Sequence, residues 1–311
     1  MALLVVDIGG SAVKYAVWDQ NELKEKDEFP TPLTRGSFFD LLNEAKDKLA
    51  NTYSFDGVAI STPGDVDEEA GLIRGTSAVP FLHLIPIKES LSEALGLPVS
   101  MENDANCAAI AEMKEGIGKG YTHPLFVIIG TGVGIAIVEN GEVLRKQELK
   151  LDELDKTIAQ QLAALKTPKA SPVSLGKRVA LKKFQMPSSI EGKEVFDLAK
   201  EGDEVAVNEL QAMYDSLAQI MVTLNSAFEP EFIGIGGGVS NNDEFVPGIE
   251  KAMEKLVSED TELLGWFQRL FKKESSQVGA AIPTLKVCEF KNDANLLGAV
   301  IHYQEMNPAE K

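Results

Sequence analysis

Leu3-Leu4-Val5-Val6-Asp7-Ile8-Gly9-Gly10-Ser11 opens the chain with an apolar run, a single carboxylate and a glycine pair. The run reads as a buried strand and the glycines as the turn that leaves it. A second strand follows over Ala12–Trp18, where Val13, Tyr15 and Val17 alternate with Lys14, Ala16 and Trp18, the period of a half-buried strand. The same layout restarts downstream. Leu125–Ile129 is an apolar run, Gly130-Thr131-Gly132-Val133-Gly134 is its turn, and Ile135–Glu139, Asn140-Gly141 and Glu142–Leu144 are a returning strand, a turn and a third strand. This repetition is an internal duplication signal, with Gly116-Ile117-Gly118-Lys119-Gly120 as the hinge between the copies. A third glycine turn, Gly234-Ile235-Gly236-Gly237-Gly238, leaves the short apolar run Phe232-Ile233. Glycine turns at the ends of buried strands let backbone N–H groups converge on an anion, the property that binds a nucleotide's phosphates.

Between the hairpins the pattern alternates strand and helix, which predicts an α/β protein. Phe38, Leu41, Leu42, Ala45 and Leu49 recur at helical spacing. Gly57–Ser61 is a buried strand stopped by Thr62-Pro63-Gly64-Asp65, Ile87–Leu95 is a helix, Pro98–Met101 a strand, and Asn106–Lys114 an alanine-rich helix. The second half is more helical, over Leu151–Leu165, Val195–Lys200, Ala206–Phe228, Asp243–Leu256 and Ala294–Tyr303. Thr284–Cys288 is a late strand, Lys166–Pro172 reads as a break, and Ser258–Gly279 carries no clear pattern. A dinucleotide-binding fold is disfavoured, because its glycine fingerprint runs directly into a helix whereas Gly130–Gly134 runs into a strand.

The 311 residues suffice for two medium domains or one large one, and 30 basic against 48 acidic residues leave a net charge of −18. So acidic a surface, without a basic stripe, argues against nucleic acid and anionic membrane as partners. Cys107 and Cys288 lie far apart without metal-ligand spacing, which fits reduced thiols and a cytoplasmic location. No stretch approaches the length of a membrane span.

Two carboxylates stand out. Asp7 sits at a strand end beside a glycine turn, where it could hold magnesium through water; the plainer reading is a cap of the turn. Asp104, within Glu102-Asn103-Asp104-Ala105-Asn106, sits where a strand gives way to a helix. A carboxylate there could take a proton from a substrate hydroxyl, and Asp104 or Asn103 could also serve as the helix cap. His83, His123 and His302 are isolated and read as structural.

Together, Asp7-Ile8-Gly9-Gly10, Glu102-Asn103-Asp104-Ala105-Asn106-Cys107-Ala108-Ala109, Gly130–Gly134, Gly236-Gly237-Gly238 and Asp293-Ala294-Asn295-Leu296-Leu297-Gly298-Ala299 resemble the ROK family of repressors and sugar kinases, in the sugar kinase, heat-shock 70 and actin superfamily. The resemblance implies a two-lobed actin-like ATPase fold of the ribonuclease H-like kind, with mixed sheets flanked by helices. The lobes would be residues 1–115 with 294–311, and residues 116–293, with nucleotide and sugar between them. It implies a kinase that uses Mg²⁺ and ATP to phosphorylate a sugar hydroxyl, usually at carbon 6. Asp7, Gly9, Gly10 and Lys14 would meet the ATP phosphates from one loop and Gly130, Thr131 and Gly132 from another, while Gly236, Gly237 and Gly238 would border the adenosine. Asn103 and Gly64 would contact the sugar, and Asp104 would be the general base. A homodimer is implied as well.

The chain departs from that pattern after Asn140-Gly141-Glu142-Val143-Leu144-Arg145. Lys146-Gln147-Glu148-Leu149-Lys150-Leu151 replaces the family's glycine-rich loop and Glu-x-Gly-His segment, and no histidine or cysteine precedes Cys288 after it. Structural zinc is therefore not expected. The pocket should be open at the anomeric end of the sugar, admitting a glycoside, with Glu148 or Asp152 as substitute contacts. The alternative is a non-catalytic regulatory protein that binds sugar or nucleotide. Direct gene repression is disfavoured, since only Met1 and Ala2 precede the first strand.

Overall fold

The computed structural model describes residues 2–145, 168–259 and 282–308. Glu148 and Asp152, the Leu151–Leu165 helix and all but the first two residues of Ser258–Gly279 lie outside them. The chain runs through β1 (Ala2–Ile8), β2 (Ala12–Asp19), β3 (Glu22–Pro30), α1 (Arg35–Ala50), β4 (Phe55–Thr62), β5 (Asp65–Asp67), β6 (Leu72–Arg74), α2 (Ile87–Leu95) and β7 (Val99–Asn103). It continues with α3 (Asp104–Lys114), β8 (Leu125–Ile129), β9 (Val133–Glu139), β10 (Glu142–Val143), α4 (Pro172–Lys182), α5 (Gly192–Lys200) and α6 (Glu204–Phe228). β11 (Ile233–Gly236), α7 (Phe245–Glu259), β12 (Leu285–Val287) and α8 (Ala294–Met306) complete it. The described residues fall into two compact units, one within Met1–Gly120, Glu142–Glu148 and Asn292–Lys311, the other within Tyr121–Gly141 and Leu149–Lys291.

The first sheet has the order β3-β2-β1-β4-β7, with β1 antiparallel to β2 and β1, β4 and β7 mutually parallel. The second has the order β10-β9-β8-β11-β12, with β8 antiparallel to β9 and parallel to β11, and β11 parallel to β12. Position for position the two orders and their strand senses are the same. The duplication seen in the two glycine hairpins thus extends to whole mixed sheets.

Helices cover both faces of the first sheet, which is why β1 is buried along its whole length. Leu4, Val6 and Ile8 join Phe38 and Leu42 of α1 and Ile87 and Leu91 of α2 in one core. Leu3 and Val5 join Cys107 of α3 and Leu296, Ala299, Val300 and Tyr303 of α8 in another. Side chains alternate along a strand, so Asp7 falls on the α3/α8 face. In the second unit, Leu125, Val127 and Ile129 of β8 and Ile233 and Ile235 of β11 pack with Met213, Leu217 and Met221 of α6 and Phe245 and Ile249 of α7.

Several elements differ from the sequence reading. The alanine-rich helix starts at Asp104 rather than Asn106, because Asn103 supplies the cap. Lys166–Pro172 ends not in a plain break but in the start of α4: Ser171 accepts the Ser174 N–H, and Pro172 is the first helical residue, where its missing N–H costs nothing. The three-residue strands β5 and β6 form a small hairpin after Pro63-Gly64, too short to show a period. Among the described residues no helix is long and apolar enough to cross a membrane.

Candidate active site

β1, β4 and β7 end side by side, and in an open parallel arrangement the carboxyl ends of strands are where ligands bind. Asp7 is opposite Ser61 in the β1/β4 register and Thr62 opposite Asn103 in the β4/β7 register, so three adjacent strand ends bring these polar residues together. The Asp7 Oδ1 accepts a hydrogen bond from Ser61 Oγ at 2.8 Å and another from Asn295 Nδ2 of α8 at 3.0 Å. Asp7 is buried, and burial raises its pKa against the opposing pull of the Ser61 and Asn295 hydrogen bonds and the Lys14 charge. Lys14 is the register partner of Asp7 on β2. The first glycine turn is held shut by Gly9 N–H donating to Ala12 O at 2.9 Å and by Thr31, whose Oγ1 donates to Gly9 O at 2.6 Å.

Asn103 is the N-cap of α3, as the plainer reading of the sequence allows. Its Oδ1 accepts from the Ala105 and Asn106 N–H groups, and its Nδ2 donates to Gly64 O at 2.8 Å. That bond ties the Pro63-Gly64 turn to the strand end carrying Asp104, and it leaves one N–H of the Asn103 amide for a ligand. Gly64 has a left-handed φ of +112°, and a Cβ there would press on Ile73, so glycine is required by the backbone itself.

Asp104 is the first residue of α3 and is half-buried. Its carboxylate accepts the Ala105 N–H at 2.9 Å. Desolvation and the neighbouring Asp7 charge push its pKa up to about 6, against the stabilising Ala105 hydrogen bond. A carboxylate tuned toward neutrality at the edge of a strand-end cluster has the property a general base needs.

Beneath this loop Glu102 is buried and fully engaged. Its Oε1 accepts from Asn103 N–H at 2.8 Å and Asn106 Nδ2 at 3.2 Å, and its Oε2 accepts from Arg145 Nε at 2.9 Å. His302 of α8 is buried, with Nδ1 3.9 Å from Glu102 Oε2, and burial lowers its pKa. It is a core histidine.

In the second unit the other two glycine turns sit on neighbouring strand ends. Gly130, Thr131 and Gly132 are exposed at the end of β8, closed by Gly130 N–H donating to Gly132 O at 2.9 Å. A Cβ at Gly130 or Gly132 would meet nothing within 4 Å, and neither has a left-handed φ. Packing among the described residues therefore does not explain glycine there, and the bare backbone is open to close approach by a ligand. Gly237 is different: its φ is +88°, and a Cβ would collide with the Ile129 carbonyl, so it fixes how the β11 turn lies on β8. Gly236 is buried and Gly238 exposed.

Sequence reasoning singled out Asp7, Gly9, Gly10, Lys14, Gly64, Asn103 and Asp104, and the structure brings them to one edge of the first unit. It singled out Gly130–Gly132 and Gly236–Gly238, which lie together in the second. It missed Ser61, Thr31 and the roles of Asn295, Glu102 and Arg145. Asn295 and Arg145 stand inside recognisable motifs, but which carboxylate each would meet depends on how α8 and the segment after β10 pack.

A family profile described as the ROK family matches residues 3–148 and 169–286. The chain is 29% identical to a beta-glucoside kinase of Listeria monocytogenes over 320 aligned positions, covering 100% of both chains. Among solved structures it is similar to a ROK family protein from Streptococcus pneumoniae in complex with sucrose, with a TM-score of 0.71, 27% identity, and coverage of 98% of this chain and 99% of that one. It is likewise similar to a ROK hexokinase from Thermus thermophilus, with a TM-score of 0.66, 27% identity, and coverage of 98% and 99%.

Proposed function

The chain belongs to the ROK family, with the actin-like α/β fold that its two like-ordered mixed sheets express, and on that premise we propose that it is an ATP-dependent sugar kinase whose general base is Asp104. The carrying observation is the half-buried Asp104 carboxylate, with its pKa pushed up to about 6, beside the hydrogen-bonded Asp7. At neutral pH it is ionised yet basic enough to accept a proton from the attacking hydroxyl as the new O–P bond forms. Asn103, through its remaining amide N–H, and the Gly64 turn orient the sugar, and the phosphorylated oxygen is that on carbon 6 of a hexose or hexoside.

The backbone N–H groups of Gly9-Gly10 and Gly130–Gly132, with the Lys14 ammonium, neutralise phosphate oxygens, the main demand of phosphoryl transfer. Gly236–Gly238 border the adenosine. Asp7 fits a magnesium ion held through water. Its Oδ1 is engaged by Ser61 and Asn295, its Oδ2 has no hydrogen-bond partner among the described residues, and Mg²⁺ typically uses one or two carboxylates with waters and phosphates. The ion would supply charge neutralisation on the transferring phosphoryl group. The reading includes no zinc.

For substrate, a β-glucoside is favoured. A relative aligned end to end is described as a beta-glucoside kinase, and this chain lacks the Glu-x-Gly-His segment that would enclose a free anomeric hydroxyl. A homodimer in the cytoplasm completes the proposal. The test is a coupled ADP-release screen over hexoses, amino sugars and β-glucosides, with Asp104→Ala as control. Turnover that depends on Asp104 is expected, highest with β-glucosides. Absence of Mg·ATP binding by titration calorimetry at millimolar nucleotide would overturn the kinase reading and leave a regulatory, non-catalytic sugar-binding protein.

A further inference from the structure

Phosphoryl transfer as proposed uses Asn103 and Asp104 and leaves the residue before them without a task. Glu102 is a charged group with a side chain only 3% exposed, a situation that is unfavourable unless the charge is paired and its lone pairs are filled. Its Oε1 fills by binding the Asn103 N–H and the Asn106 side-chain amide. Asn103 in turn caps the Ala105 and Asn106 N–H groups. Residues 102–106 thus form a closed ring of hydrogen bonds that spans Asp104. The countercharge comes from outside the ring. Arg145, the last residue of the Asn-Gly-x-x-x-Arg run, reaches in from the surface, its side chain 37% exposed, and donates Nε to Glu102 Oε2 at 2.9 Å.

We propose that Arg145 is a positioning residue: by pairing with buried Glu102 it clamps the Asn103–Asn106 turn and so fixes the direction in which the Asp104 carboxylate is presented. This rests on the kinase reading above. A misplacement of about 1 Å at a reacting group can cost on the order of 10²-fold in rate, so the clamp acts on turnover rather than on nucleotide binding. The ion pair also makes a reciprocal demand. Without Arg145, Glu102 is a buried carboxylate lacking its countercharge. With Gln at 102, an amide N–H₂ faces the guanidinium donor unless the amide is turned, which takes its oxygen from Asn103 and Asn106. Each single change therefore harms the turn, and the two together relieve each other.

The experiment compares wild type, Arg145→Ala, Arg145→Lys, Glu102→Gln and the Arg145→Ala/Glu102→Gln double variant. It reads steady-state kinetics and hydrogen exchange at the Ala105 and Asn106 amides. Expected is a kcat loss of about 10- to 100-fold in each single Ala or Gln variant, an unchanged KM for ATP, faster exchange at both amides, and recovery in the double variant to above either single. Arg145→Lys should fall between wild type and Ala, since a point charge replaces a planar donor. If Arg145→Ala does not fold, Arg145→Lys and Glu102→Gln read the same quantities. Kinetics and exchange within twofold of wild type in the single variants, or a double variant no better than the worse single, would overturn the clamp. A wild type that phosphorylates no sugar would overturn the kinase reading instead, and the exchange rates would still decide whether Arg145 holds the turn.

Discussion

Asp104 carries the sharpest consequences because one carboxyl group sets both a rate and a stability. As the proposed general base it must be ionised, so kcat should fall as pH drops through about 6, with the slope of a single proton, in a pH–rate profile at saturating substrates. The effect on stability has the opposite sense. Its folded pKa, about 6, lies above the ordinary 3.8, so the native state holds this proton more tightly than the unfolded chain does. The contribution of Asp104 to stability is therefore greatest below pH 4, declines between about pH 4 and 6, and above that is a penalty. The gap between the folded and unfolded values sets a ceiling of about 3 kcal/mol on that penalty, which partial exposure reduces to roughly 1 kcal/mol. Asp104→Asn should thus lower kcat by ~10²–10⁴ while Tm at pH 7.5 stays level or rises by a few degrees. A variant that lost Tm along with activity would mean that the carboxylate is a structural group. Asp104 was legible in the sequence because it sits where a strand meets a helix among amides. Its raised pKa was not, since that depends on burial in the folded chain and then on Asp7, 97 positions earlier by numbering, lying close by.

At the scale of elements, α8 is the part whose importance the sequence understated. It reads as a closing helix, but its Asn295 donates to Asp7 and its Gly298 lies against α3 so closely that a Cβ would overlap the Cys107 carbonyl. This glycine allows the two helix backbones to meet, where Cys107 of α3 and Leu296, Ala299 and Val300 of α8 share one core with Leu3 and Val5 of β1 and Ala59 of β4. Gly298→Ala should therefore destabilise by about 1–3 kcal/mol or more in urea unfolding. Because α8 must shift to admit the methyl group, it should also weaken the Asn295–Asp7 bond and raise the KM for Mg·ATP. Asn295→Ala removes that hydrogen bond to a carboxylate without overpacking, and a loss of about 1.5–3 kcal/mol is expected, with the same rise in KM. An unchanged KM in both variants would dissociate α8 from the nucleotide side. The helix α4 illustrates the reverse case. Ser171-Pro172 looks like a break until Leu175, Val179 and Ala180 are seen to enter the second unit's core, and only then is the serine a cap.

Over the whole molecule the net charge of −18 bears on how an anionic co-substrate arrives. Mg·ATP carries negative charge, and long-range repulsion slows association at low ionic strength until salt screens it. Raising monovalent salt from about 10 to 150 mM, where the Debye length falls from about 30 to 8 Å, should increase kcat/KM for ATP by a few-fold and leave that for a neutral glycoside unchanged. A fall for ATP would show that the local field of Lys14 and the glycine-turn amides dominates over the global charge.

The local sequence determined what depends on neighbours in the chain. Alternation and apolar runs set the strands, glycines after those runs set the turns, and the repeated hairpin marked an internal duplication. Asp7, Asn103 and Asp104 were recognisable because each occupies a strand end, a position local pattern can mark. What only the tertiary structure decided are the partners. Ser61 and Asn295 at Asp7, Arg145 at Glu102 and Gly298 against α3 join residues separated by dozens to hundreds of positions. A side chain's hydrogen-bonding type can be read from its letter, but the group that satisfies it, and the pKa that results, are fixed only when the sheet and its covering helices close over them.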